Sequence, residues 1–136
     1  MIGIVGGLGP YAGLDIARKI IDETVASSDQ EHLPLLLFSC PNLIPDRSAY
    51  LLDKSNANPG KAIAAILKQL EQAGATIAAI PSNTAHADPI FSVIQDEMIR
   101  SGNELKLLHN VHETVRFVDE NYPDSTIGVL STAGEQ

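Results

Sequence analysis

Two hydrophobic rhythms alternate along the chain. Continuous apolar runs occur at residues 2–5, 33–38, 76–80 and 126–130, with a shorter one at 105–108. Each is bounded by glycine, proline or polar residues. Such runs predict strands of a parallel sheet, because a strand covered on both faces has no polar side to alternate with. Between the runs the period changes. Leu14, Ala17, Ile20, Ile21 and Val25 recur at three- and four-residue spacing and predict an amphipathic helix from Tyr11 to about Ala26. Ile63, Ile66, Leu67 and Leu70 predict a second from about Gly60 to Ala73, and further helices are expected over 89–100 and 111–120. Pro10 suits a first helical turn, and Gly74 stands where a C-terminal cap belongs. Residues 40–58, punctuated by Pro41 and Pro45, read as a loop.

Strand and helix alternate throughout, which requires a parallel sheet flanked by helices on both faces, the α/β class. There is no internal repeat and no low-complexity tract. In such sheets ligands bind beyond the carboxyl ends of the strands. Four polar or glycine-rich segments converge there: 6–10, 40–48, 81–86 and 131–134.

Composition narrows the field. A chain of 136 residues suffices for one domain with a hydrophobic core. Its net charge of -8 argues against nucleic acid and anionic membrane as partners, though a local pocket can still hold a small anion. No apolar stretch approaches the ~20 residues that span a bilayer. The opening Met1–Val5 lacks the basic segment of a secretory signal. One cysteine, Cys40, allows no internal disulfide and fits a reducing cytoplasm.

Each candidate segment has a structural reading beside the chemical one. Gly6-Gly7-Leu8-Gly9-Pro10 lacks both the GxGxxG spacing and a Gly-Lys-Ser/Thr ending, yet exposed amides at a helix start suit a carboxylate. Asn42, Asp46 and Arg47 share a proline-bounded loop. Arg47 can grip a carboxylate with two parallel bonds, or simply pair with Asp46. In Pro81-Ser82-Asn83-Thr84-Ala85-His86, Ser82 directly follows a strand, and Asn83 and Thr84 offer donors to an anion. The plainer reading makes Asn83 or Thr84 a helix cap and His86 a core or solvated histidine. Ser82 has no GxSxG elbow, so a hydrolase nucleophile is disfavoured. His86, His109 and His112 do not form a metal-ligand pattern, and no metal is expected. Cys40, at a strand end, reads first as a buried small hydrophobe.

Taken in order, GGLGP at 6–10, DQEH at 29–32, PNLIPDR at 41–47, PSNTAH at 81–86 and IGVLSTAG at 127–134 resemble the aspartate/glutamate racemase family over nearly the whole chain. The resemblance implies one of two pseudo-symmetric α/β lobes facing each other across a cleft. One cysteine from each lobe would move the α-proton of an amino acid without pyridoxal phosphate or any other cofactor. A thiolate whose pKa is lowered by local positive potential is a competent base for this, and two opposed groups interconvert enantiomers through a planar carbanion.

By that resemblance Ser82 occupies the position of the first catalytic cysteine. Asn83 and Thr84 would bind the α-carboxylate, Arg47 and Asn42 would hold the substrate from the PNLIPDR segment, Gly7 would shape the cleft floor, and Thr132 would hold the ligand from the second lobe's entry. Residues 1–125 are expected to be the N-terminal lobe and 126–136 the start of a second lobe that the chain does not continue. The expected function is racemisation of aspartate or glutamate, with this chain inactive alone. A small amino acid or dicarboxylate is the expected partner, and a homodimer is implied. The alternatives are a non-catalytic amino-acid or dicarboxylate binder on the same scaffold, or another reaction of the superfamily such as arylmalonate decarboxylation, maleate isomerisation or hydantoin racemisation.

Overall fold

The computed structural model describes residues 1–53 and 56–130. Its centre is a four-stranded sheet in the order β2-β1-β3-β4, built from β1 (Ile2–Gly6), β2 (Leu35–Ser39), β3 (Ile77–Ala79) and β4 (Lys106–Leu108). All three pairings are parallel, with Ile4 opposite Leu37 on one side and opposite Ala79 on the other. The helices are α1 (Pro10–Asp22), α2 (Arg47–Leu52), α3 (Gly60–Gln72), α4 (Asp88–Arg100) and α5 (Asn110–Asn121).

The parity of β1 decides which helix covers which face. A side chain added at Gly3 would meet Leu70 of α3, whereas one at Gly6 would meet Leu37, and one at Gly13 of α1 would come within 3.2 Å of the Gly6 backbone. Residues 3 and 6 point to opposite faces of a strand, so α1 lies on one side of the sheet and α3 on the other. On the α3 side Ile63, Leu67 and Leu70 are fully buried and pack with Ile90 and Ile94 of α4. Each such side chain contributes about 1.5–3 kcal/mol when removed from water. This is the core, and it sits between the sheet and the α3–α4 pair.

The predicted elements recur with shifted ends. α1 stops at Asp22, short of Ala26, because β-branched Thr24 and Val25 are poor helix formers and the Thr24 hydroxyl donates instead to the Ile20 carbonyl at 2.5 Å. The loop expected over 40–58 contains a short helix, α2, whose start is capped by Asp46: its carboxylate accepts from the Ala49 amide at 2.9 Å. The strand expected at 126–130 does not form. Residues 125–130 carry no strand pairing, and Val129 and Leu130 are exposed. A strand is defined by its neighbour's backbone groups, and among the described residues none pairs with this run. Among the described residues no helix is long and apolar enough to cross a membrane.

Candidate functional site at the carboxyl edge of the sheet

β1 runs out toward β2 through α1, whereas β3 runs out toward β4 on the other side, so the chain reverses its winding between β1 and β3. Loops diverge at such a point and leave a crevice beyond the carboxyl ends. Extending the β1–β3 register past its last pairs brings Gly7 level with Ser82.

The turn after β1 depends on Gly7. Its φ is +89°, and a Cβ there would lie 2.8 Å from the Pro41 nitrogen, so both the left-handed backbone and the close approach require glycine. That approach places the Pro41–Leu43 turn, which carries the exposed Asn42, against the first glycine turn. Arg47, half-buried at the start of α2, donates from Nη2 to the Leu8 carbonyl at 3.2 Å. Leu8, Ile44 and Ala85 are buried in one cluster, which locks the loops after β1, β2 and β3 together. Packing therefore brings Gly7, Asn42, Arg47 and the Ser82–Thr84 turn to one edge. Thr132 lies outside the described residues.

The Ser82–His86 turn is held by its own polar groups. Ser82 is only 8% exposed, and its hydroxyl accepts from the Ala85 amide at 3.3 Å. Thr84 and His86 are buried with it, while Asn83 is exposed and accepts through Oδ1 from the Asn110 side chain at 2.8 Å. His86 does not act on the Ser82 hydroxyl. Its Nδ1 lies 2.8 Å from the Ser82 carbonyl, and its Nε2 accepts from the Asn110 amide at 3.2 Å. Both ring nitrogens are thus engaged, and no serine–histidine nucleophile pair exists here.

Burial lowers the pKa of His86 below the ordinary histidine value, against the carbonyls of Ser82 and Leu108, which favour the charged ring. His109 is lowered too, first by burial and then by the neighbouring rings of His86 and His112. The ring centroids of His109 and His112 are 3.8 Å apart in a stack, and those of His86 and His109 are 4.6 Å apart. Among the described residues no group of three or more histidine, cysteine or acidic side chains could hold a metal ion.

Two residues outside the sequence candidates touch the Ser82–His86 turn. Asn110 and His109 belong to α5 and its start, far along the chain, and reach the Ser82–His86 turn only through folding. The signal available was the juxtaposition of His109-Asn110 with the end of an apolar run, which is where a strand-to-helix edge would fall.

A parallel sheet with a winding reversal thus gathers a glycine turn, an arginine and a small polar turn at its carboxyl edge. The family described as Asp/Glu/Hydantoin racemase matches residues 5–134, and the chain belongs to that family. It is 30% identical over 136 residues to the broad specificity amino-acid racemase RacX of Bacillus subtilis (strain 168), covering 97% of this chain and 54% of that protein. The chain therefore spans about half the length of this curated relative. Among solved structures it resembles the Picrophilus torridus aspartate racemase, with a TM-score of 0.68 and 25% identity over 88% of this chain and 74% of that one. An aspartate racemase homologue from Pyrococcus horikoshii OT3 shares the fold at a TM-score of 0.64 and 21% identity, over 89% and 49% of the two chains.

Proposed function

We propose that this lobe binds the carboxylates of a small amino acid, aspartate first, as half of the site of an amino-acid racemase that works without pyridoxal phosphate. The observation that carries the reading is the convergence of the Gly7 turn, Arg47 and the Ser82–Thr84 turn at the point where the sheet reverses its winding. Arg47 would turn from the Leu8 carbonyl to a substrate carboxylate, a charged partner that forms a stronger bond than a neutral one. Exposed Asn83, buried Thr84 and the backbone amides of their turn would hold the α-carboxylate. Gly7 keeps the floor open, and Asn42 borders it. Thr132 would join from the following segment.

Ser82 would then face the α-carbon where a thiol serves in the family. A hydroxyl is a far weaker acid than a thiol and needs a base beside it to take a proton. His86 offers none, since both of its nitrogens are spent. The engaged Ser82 hydroxyl is the specific observation favouring a second reading, a lobe that binds amino acid or dicarboxylate without turning it over.

Incubation with L- or D-aspartate in deuterated water, followed by NMR of the α-position, separates the two. The chain as it stands is expected to incorporate no deuterium. A Ser82→Cys form joined to a second lobe is expected to incorporate it, and tight binding without exchange in that form would leave the binder. Arg47→Ala should weaken aspartate binding by about 2 kcal/mol in calorimetry, the worth of a charged hydrogen bond. Unchanged affinity removes Arg47 from the site.

A further inference from the structure

α5 packs differently from α3 and α4. None of its residues is buried, and it has no extensive packing against any other element among the described residues. Its start, by contrast, is held to the sheet edge by His86 and Asn83, and capped from within by His109, the residue that precedes it. The Asn110 amide donates to His86 Nε2 at 3.2 Å, and the His112 amide donates to His109 Nδ1 at 3.3 Å. A backbone amide can only donate, so each of those nitrogens must be unprotonated. The His86 proton therefore sits on Nδ1, donated to the Ser82 carbonyl at 2.8 Å. The two rings also meet at a tilt of 60°, with Phe91 of α4 stacked on His86 and edge-on to His109.

We propose that His86 and His109 form a proton-sensitive clamp: neutral, His109 caps the first turn of α5 and His86 seats that turn on the carboxyl edge of the sheet, and protonation of the pair uncaps and releases it. A proton added to His86 Nε2 or His109 Nδ1 would point at an amide hydrogen. It would also place positive charge at a helix N-terminus, where the peptide dipoles are already positive. The rings would repel each other as well.

From α5 comes His112, stacked on His109, and from α4 the Asp88 carboxylate, which favours charging of His109. Glu113 on α5 is engaged by Arg116. The strand ends present the carbonyls of Ser82 and Leu108, which favour a charged His86, but burial outweighs them.

The sign follows from the lowered pKa values. A histidine whose folded value lies below its ordinary 6.5 is bound by fewer protons folded than unfolded just under that pH. The clamp is therefore complete above 6.5 and is lost as pH falls from there through the folded values. Release also frees Asn83, because its side-chain partner Asn110 leaves with α5. The clamp stands whatever ligand the edge accepts, so its failure and that of the racemase reading are separate results.

Nitrogen-15 NMR of the imidazoles and amide hydrogen exchange of the intact chain test it between pH 8 and pH 5. At pH 8 the His86 proton should be on Nδ1, and on acidification the protection factors of the α5 amides, taken against the intrinsic exchange rate at each pH, should fall about tenfold before those of β1 change. A His86→Gln, His109→Asn double variant, which keeps an acceptor at each place without a titrating ring, should show α5 exchange whose protection does not change with pH. A His86 proton on Nε2 at pH 8 overturns the clamp. So does α5 protection in the unaltered chain that persists to pH 5 or is lost together with that of β1, and the unaltered chain decides the matter even should the double variant fail to fold.

Discussion

α3 and α5 are nearly equal in length, at 13 and 12 residues, and both carry apolar side chains at helical spacing. Their fates differ. α3 buries Ile63, Ile66, Leu67 and Leu70 against the sheet and α4, whereas Val111, Val115 and Phe117 of α5 remain exposed. Amphipathic pattern licenses a helix but does not supply the surface that covers it. α3 is held by the removal of apolar area from water, a non-directional force spread over many contacts. α5 is held at one end by a few directional hydrogen bonds that depend on protonation. One helix belongs to the core, and the other is docked onto the edge that gathers the candidate site.

Three substitutions sharpen that contrast, in decreasing order of effect. Leu67→Ala empties a fully buried position between helix and sheet and should cost about 2–5 kcal/mol in urea unfolding, the transfer and cavity terms together. A loss near zero would mean the α3 face is not the core. Gly7→Ala forces a Cβ into the left-handed region and against Pro41, and should cost about 1–3 kcal/mol by the same measurement. Stability unchanged would contradict the close approach of the first two loops. Val115→Ala on α5 should shift stability by no more than about 0.5 kcal/mol, in the favourable direction because alanine is the better helix former. A loss above about 1 kcal/mol would show that a partner surface covers α5.

The same contrast explains what could be read in advance. β1 to β4, α1, α3, α4 and α5 each announced themselves by local periodicity, because a run of residues carries its own helix or strand preference. α2 did not, since Pro41, Pro45 and Pro59 framed the segment as loop, although Asp46 three residues ahead of Ala49 was a legible cap. The 126–130 run looked like a strand because it is apolar, yet strand formation needs hydrogen bonds from another chain segment, and pattern cannot provide them.

At the site, position 82 and its neighbours could be placed on the carboxyl edge from the strand that precedes them. Their engagements could not. The Ser82 hydroxyl on the Ala85 amide is local and was accessible in principle to turn chemistry. The Arg47–Leu8, Asn83–Asn110 and His86–Asn110 contacts join residues 39, 27 and 24 positions apart.

The amino-acid order alone determined the α/β class, the parallel sheet and the identity of the loops that line its carboxyl edge, since these follow from short-range periodicity and from the handedness of strand–helix–strand units. Only the tertiary structure decided that Arg47 crosses to the first glycine turn, and that Asn83 and His86 meet Asn110 at the start of α5. Those are meetings between distant parts of the chain, settled by packing after the elements exist.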